Sequence, residues 1–476
     1  MDEISRAARG KIIMPAKGME GSNMKRMIGL TIALGMLLGF GKSLAAEEGW
    51  KAGAASVVIT PEKPMWMAGY AARNKPSEGK AQDLFAKALV LEDAKGSRMV
   101  FVTMDLIGIP RTLRKSLESR VRSEWKLPPE SLLLNASHTH CGPEFRVGRT
   151  TADDGEFGPA AMGALYGRQL EEKLFTLIGQ AIGKLAPAKV SHSFARCGFA
   201  MNRRLPVAND FRNSPYPEGP VDHEVPVLRV DGSDGKLKSV LFGYACHNTT
   251  LGFYQFCGDY AGFAQEYLEK DHPGTIALFM TGCGGDQNPY PRGTLDLAQR
   301  HGRTLATAVE AALANTLKPV QGTIATRMEE IDIAYAPFPK KEEFTQRLAS
   351  KDKYESSHAR RMLDRLEKGE KLPTTYPYPV QVIRLGDTNT LVALGGEVVV
   401  DYSLRLKKEI QGTNLWVAGY SNDVMGYIPS LRVLKEGGYE GGGAMRFSST
   451  HPGPWAESVE EKIISKTKEL VGKLKP

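Results

Sequence analysis

The sequence predicts an α/β fold, a mixed β-sheet core flanked by helices. Three observations carry that expectation. Apolar runs of strand length alternate with longer helical patterns, and several of those runs end in polar or glycine-rich turns. Neither an internal repeat nor a Pro/Ser/Gly linker interrupts the chain between residues 46 and 476, which is therefore expected to be one catalytic domain.

The strand-like runs are 99–104, 132–134, 240–244, 276–280, 391–394 and 415–418. Helical patterns fall at 111–125, 161–185, 262–270, 296–314, 398–410 and 457–472, the last with spaced apolar residues and many lysines. Residues 338–370 are strongly charged, from Lys340 through Lys351 to Lys368, and hold few large apolar side chains. They are expected to form an exposed helical insertion, a solvated pair of helices.

Composition excludes several classes. A chain of 476 residues with 42% hydrophobic, 8% aromatic and 24% charged residues is long enough for an extensive core and is neither a disordered chain nor a disulfide-stapled mini-protein. The formal charge is +8, but the seven basic and three acidic residues of the first 45 supply half of it. The rest is spread without a basic stripe interleaved with aromatics, so no nucleic-acid partner is expected.

From Met24 the chain reads Met-Lys-Arg, then an apolar run at 27–40, then small residues Ser43 and Ala45. That order is a charged region, an apolar region and a cut site, so 24–45 reads as a signal peptide cleaved after Ala45, with 1–23 a possible upstream extension. The run falls short of the roughly 20 residues that a membrane span needs. A secreted or periplasmic protein with no transmembrane span after cleavage is the expectation. None of the five cysteines forms a Cys-x-x-Cys pair. Cys246 and Cys257 could bridge in an oxidising compartment, or remain inert buried thiols.

The strongest chemical cluster is Asn135-Ala136-Ser137-His138-Thr139-His140-Cys141-Gly142-Pro143-Glu144, directly after the run 132–134. Continued strand alternation would project His138 and His140 to one face. Further clusters follow other strands: Ala245-Cys246-His247-Asn248, Gly284-Gly285-Asp286-Gln287-Asn288-Pro289, Gly395-Gly396-Glu397 and Ser421-Asn422-Asp423 through Tyr427. Open α/β sheets place ligands beyond the carboxyl ends of strands, so these clusters can converge. Three imidazoles and a carboxylate suit zinc. The glycine-rich loop at 282–289 lacks a Gly-Lys-Ser/Thr ending, which excludes a nucleotide loop, and no Gly-x-Ser-x-Gly elbow is present.

The chain resembles the neutral/alkaline non-lysosomal ceramidase family, zinc amidases that split the N-acyl bond of ceramide. The likeness begins at Ile59-Thr60-Pro61 and Met67-Ala68-Gly69-Tyr70. It continues through Ser137-His138-Thr139-His140-Cys141-Gly142-Pro143, Asn202-Arg203, Ala245-Cys246-His247, Gly285-Asp286, Gly396-Glu397, Gly426-Tyr427 and Tyr439-Glu440-Gly441. It implies zinc ligands at His138, His247, Glu397 and Tyr427, and substrate contacts from His140, Arg203 and Tyr439. The twelve-residue spacing of Tyr427 and Tyr439 agrees with the family's pair of tyrosines. His140, with Tyr439 and Arg203, would stabilise an oxyanion and deliver a proton to the leaving amine. Asp286 would orient His140 or another imidazole, or else cap a turn.

Two departures bear on the substrate. Where the family has Gly-Asp-x-Ser-Pro, this chain has Gly285-Asp286-Gln287-Asn288-Pro289, so Asn288 replaces a functional serine and is expected to donate a hydrogen bond to the oxyanion. The chain is also expected to lack the family's immunoglobulin-like C-terminal domain. The expected partner is a small-molecule or lipid amide. Another amide or ester, or a catalytically silent lipid- or saccharide-binding role, are the alternatives. His192, His223, His272, His301, His358 and His451 are expected to be structural or surface residues.

Overall fold

Strands covered on both faces carry apolar side chains at nearly every position, and such strands build two sheets here. The computed structural model describes residues 49–146, 159–208, 210–337, 339–448 and 450–474, so the expected signal peptide and upstream extension lie outside the described residues. In chain order the first part holds β1 (Lys51–Val58), β2 (Phe85–Glu92), β3 (Arg98–Met104), α1 (Arg111–Trp125), β4 (Leu132–Ala136), α2 (Pro159–Gly183), β5 (Ala186–Arg196), β6 (Ala200–Val207) and β7 (Asp210–Tyr216). Then come β8 (Glu224–Gly232), β9 (Leu237–Tyr244), α3 (Asp259–Asp271), β10 (Ile276–Thr281), β11 (Gln287–Pro289), α4 (Leu295–Ala314), β12 (Lys318–Pro319) and β13 (Ile324–Ala334). The remainder is α5 (Lys341–Arg347), α6 (Lys353–Glu367), β14 (Thr375–Leu385), β15 (Asn389–Leu394), β16 (Glu397–Val398), α7 (Asp401–Glu409), β17 (Asn414–Ala418), β18 (Tyr427–Ile428), α8 (Leu431–Glu436) and α9 (Val459–Lys473).

The large sheet runs β10-β9-β8-β5-β1-β2-β3-β4, with β12 on β5, and the second runs β13-β14-β15-β17. Both are mixed: β9/β10, β3/β4 and β15/β17 are parallel and most other pairs antiparallel. Alternation sorts each strand's residues between two cores. On β2 and β3, Ala88, Val90, Val100 and Val102 face the helices α1 and α2, while Leu89, Leu91, Met99 and Phe101 face the second sheet. On β14, Val380 and Val382 pack towards α7 and α9, while Ile383 and Leu385 meet the large sheet. The layers are thus helix, sheet, sheet, helix, with α3 and α4 covering Val240, Phe242, Ala277 and Phe279 on the helical side of the large sheet. The expectation of a mixed β-sheet core flanked by helices holds, the core being two stacked sheets. Among the described residues no helix is long and apolar enough to cross a membrane.

One open alternative is decided and one expectation is corrected. Cys246 and Cys257 are free and buried, as are the other three cysteines. Cys257 packs in the core under α1 and α2 and Cys246 in the core under α3 and α4, so different packing environments hold them. Residues 341–347 and 353–367 are helical, yet they are not a solvated pair, because Phe344, Ala359, Met362 and Leu363 are buried in a small core of their own with Leu372.

The two sheets are stitched where their parallel strands end. Asn135, at the end of β4, is fully buried; its Nδ2 donates to the Gly419 carbonyl at 2.8 Å and its Oδ1 accepts from Thr281 N at 2.9 Å. Asn422 accepts from Leu134 N at 3.1 Å and donates to Gln381 at 2.7 Å. One amide therefore joins β4, β10 and the turn after β17. Asn135→Ala should leave the buried Thr281 N–H unpaired, while the Gly419 carbonyl keeps the Ser421 hydroxyl, and cost about 1–3 kcal/mol. Urea unfolding of the two proteins checks this, with an unchanged m-value.

Candidate metal centre

The turns that follow β4, β9, β15 and β17 meet at one buried point. β4 ends at Ala136, and His138 takes a left-handed conformation with φ 63°. The two histidines therefore converge through a tight turn, not through the strand alternation expected from the sequence. His138 N donates to the Leu106 carbonyl and His140 N to that of Asn248, which fixes the turn between neighbouring segments. Glu397 and Tyr427 are brought together by backbone pairing, since they are register partners in the parallel pair β16/β18.

Each imidazole is oriented from behind. His138 Nδ1 lies 2.6 Å from the Ile107 carbonyl, and His247 Nδ1 lies 2.6 Å from that of Gly284. A carbonyl only accepts, so each Nδ1 carries the proton and each Nε2 presents a lone pair. Burial, followed by the charge of Arg203, pushes His247 down to about 3, which keeps it neutral.

In front of these nitrogens the donors crowd together. Glu397 Oε2 lies 3.1 Å from His138 Nε2 and 3.3 Å from His247 Nε2, and Tyr427 OH lies 3.2 Å from His247 Nε2. Burial opposes ionisation of Glu397, but His138 and His247 beside it hold it well below the usual carboxylate range. Its Oε2 is nevertheless buried without a hydrogen-bond partner. Two ligands each about 2.0–2.1 Å from a tetrahedral ion are separated by about 3.3–3.4 Å. These three spacings are close to the edge of such a tetrahedron, and the orphaned carboxylate oxygen takes part in two of them.

His140 joins from the side. Its Nε2 lies 3.1 Å from His138 Nε2, and its Nδ1 is buried with no hydrogen-bond partner. His138, His140 and His247 offer ligand atoms within 4.8 Å of one another, a spacing that could hold a metal ion. Burial, followed by the other two imidazoles, pushes His140 well below the usual range, so it too is neutral. Gly69 backs this ring at φ +97°, and a Cβ there would lie 2.4 Å from His140 Nδ1.

Arg203 spans the opposite side, almost fully buried. Its Nη2 donates to Tyr427 OH at 2.8 Å, its Nε to Glu440 at 2.8 Å and its Nη1 to Asn288 Oδ1 at 3.1 Å. Burial opposes its charge, and Tyr427 and Glu440 more than offset that, holding it well above the usual range. Tyr439 is half-buried, its ring centroid 5.3 Å from that of Tyr427.

Asp286 takes one of its two expected roles, and Asn288 sits differently from expectation. Asp286 is fully buried, which pushes it up to about 6, but its carboxylate accepts from Val400 N at 2.8 Å and Asn202 Nδ2 at 3.0 Å. It braces the start of α7 and the 286–288 turn, which is the turn-capping role, because those two donors occupy both of its oxygens. Asn288 accepts from Arg203 and from Thr249, and its Nδ2 points to Asn213 Oδ1 at 3.2 Å. Its amide is thus engaged within the protein instead of free for an oxyanion. The glycine-rich loop serves close packing: a Cβ on Gly285 would lie 2.6 Å from the Glu397 carbonyl.

Sequence reasoning assigned no role to Glu440, Tyr420 or Gly69. Glu440 bridges Arg203 and Arg204, at 2.8 and 2.7 Å, and its place beside Tyr439 in the motif was the available signal. Tyr420 lies with its ring centroid 4.6 Å from that of His138 and carries no motif of its own. Of the other histidines, His301 bonds the Pro291 carbonyl and His358 that of His451, both structural contacts.

Fold and site together define a layered α/β protein with a buried histidine-carboxylate cluster at the ends of its parallel strands. Residues 50–295 match the family model described as neutral/alkaline non-lysosomal ceramidase, N-terminal, and the chain belongs to that family. Two solved structures share the fold: a neutral ceramidase from Pseudomonas aeruginosa and a ceramidase complexed with C2. Each has a TM-score of 0.69 at 18% identity over 90% of this chain, covering 74% of the first and 76% of the second. No curated protein matches the sequence.

Metal uptake tests the centre directly. Purified protein is expected to bind one divalent ion per chain, and both His247→Ala and Glu397→Gln should weaken that binding at least about 100-fold. Calorimetric titration of the chelator-treated proteins measures it; full affinity in His247→Ala would remove His247 from the centre.

Proposed function

We propose that this chain is an exported, zinc-dependent amide hydrolase that cleaves an N-acyl bond of the kind found in N-acylsphingosines by addition of water. The observation that carries this reading is the crowding of His138 Nε2, His247 Nε2, Glu397 Oε2 and Tyr427 OH, with successive spacings of 3.1, 3.3 and 3.2 Å, beside the three-histidine group that could hold a metal ion. Zinc is the ion suited to two imidazoles and a carboxylate. When bound it activates a water near neutral pH and polarises a carbonyl.

The chain's own residues do the rest. His138 and His247, locked by carbonyls at Nδ1, present Nε2 without rearrangement. Arg203, fixed by Glu440 and Asn288, holds the Tyr427 oxygen and places positive charge where a carbonyl oxygen gains negative charge. His140 is neutral, and its unpartnered Nδ1 can take a proton from the adding water and pass it to the departing amine. The 24–45 segment is proposed as the export signal, giving a mature chain from Ala46 in a secreted or periplasmic setting, with a small amide or lipid amide as substrate.

A second reading keeps the centre and changes the substrate to another amide or an ester. Asn288 favours it, because the position where the family has serine holds an amide bonded to Arg203.

Chelator-treated protein should lose hydrolysis of a fluorogenic N-acyl amide and regain it with one equivalent of zinc; undiminished activity in metal-free protein would overturn the reading. Gly69→Ala should displace the His140 ring, lowering kcat about 100-fold while zinc content stays near one per chain. Loss of zinc in that variant would instead make His140 a ligand.

A further inference from the structure

A small cavity adjoins the proposed ligands Glu397 and Tyr427 and is otherwise bounded by residues of the 425–455 region, with a volume of about 60 Å³. Its apolar walls are Met425, Tyr439, Ala444, Met445, Phe447 and Trp455. We propose that this cavity receives the acyl arm of the substrate and limits it to a short chain, so that the enzyme acts on short-chain N-acyl compounds in preference to long fatty amides. The inference rests on the amide-hydrolase reading and narrows its substrate.

The argument begins with size. A dry cavity of about 150 Å³ holds a benzene ring, so about 60 Å³ holds roughly two or three carbon atoms beyond the carbonyl. The second step is polarity. Trp455 Nε1 donates to the Tyr427 carbonyl at 2.8 Å, His451 Nε2 to that of Met425 at 3.2 Å, and Glu440 is shared by Arg203 and Arg204. These three polar groups are spent within the protein, which suits an alkyl occupant away from Glu397, whose carboxylate makes the end of the cavity beside the proposed centre polar. The departing amine needs a proton, and His140, whose Nδ1 has no partner, lies outside this cavity lining.

The third step is rigidity. The wall at 445–448 is backed by α6, the helix that the sequence left without a role. Arg361 Nη2 donates to the carbonyls of Arg446 and Ser448 at 3.2 and 3.1 Å, His358 Nε2 lies 2.8 Å from the His451 carbonyl, and the Tyr354 and Phe447 rings are 4.7 Å apart. A longer chain would have to push Met445 or Phe447 against that helix. Overpacking of that kind is opposed by the packed side chains behind it.

The test uses the zinc-loaded protein and one fluorogenic amine acylated with acetyl, butyryl, octanoyl or palmitoyl groups. The acetyl and butyryl compounds should give kcat/KM values at least about tenfold above the longer two, and Phe447→Ala should move the preference towards octanoyl. A wild-type optimum at octanoyl or palmitoyl overturns the inference and leaves the hydrolase reading standing. Product binding reads the cavity without turnover: by calorimetry, butyrate should bind at least about tenfold tighter than octanoate. Equal or tighter octanoate binding overturns the inference. Butyrate preference with no hydrolysis of any amide supports the cavity and overturns the hydrolase reading instead.

Discussion

Four electron-rich atoms aimed at one buried point are the constraint around which the rest of this molecule is arranged. Lone pairs on His138 Nε2, His247 Nε2 and Glu397 Oε2 crowd within 3.1–3.3 Å at a buried site, where solvent screening is weak. The protein holds them from outside the point, through carbonyls behind the two imidazoles and through backbone pairing of β16 with β18. Residues around the centre accept unfavourable backbone conformations for the same end. His138, Tyr420 and Asn422 all have positive φ without being glycine, each at a cost on the order of 1–3 kcal/mol. Such strain persists only where the surroundings over-determine it, and the buried Asn135 and Asn422 amides that tie the two sheets provide that.

Arg203 has a related problem and a related solution. A nearly fully buried guanidinium is costly unless it is paired and hydrogen-bonded. Here Glu440 answers two arginines at once, and Asn288 and Tyr427 take further donors of Arg203. The pair is better understood as a device of position than as a source of stability, since well-packed apolar residues could stabilise the same volume as well. Its product is a fixed Tyr427 oxygen.

The elements legible in the sequence are those covered on both faces or strongly periodic. The pattern at 111–125 coincides with α1, and the runs at 391–394 and 415–418 lie within β15 and β17. The strands that escaped notice carry weaker signals for physical reasons. β13 is an edge strand whose residues are mostly half-exposed, and β14 contains Pro377 and Pro379. Those prolines lie before Val380, where pairing with β15 begins, so they occupy the stretch with one neighbour, where a missing N–H is tolerated. The stacking of two sheets was invisible because an apolar run states that both faces are covered and not by what. At the centre, the motifs marked which residues converge, whereas the tautomers, the Asn288–Arg203 bond and the Asp286–Val400 contact arise from parts of the chain far apart in sequence.

The serine-to-asparagine departure and the docked helices act on neighbouring parts of one site. A serine hydroxyl at position 288 would be shorter than the asparagine carbonyl that reaches Arg203 at 3.1 Å. Asparagine therefore acts as a strut behind Arg203, and Arg203 in turn holds Tyr427, which lines the small cavity. From the other side, α6 props the 445–448 wall of that cavity. Both features restrain the space beside Glu397 and Tyr427 without touching the ligand atoms of His138 and His247. The histidine-carboxylate cluster and the volume of the cavity beside it are thus set by different residues, those of the cavity lying one layer further out.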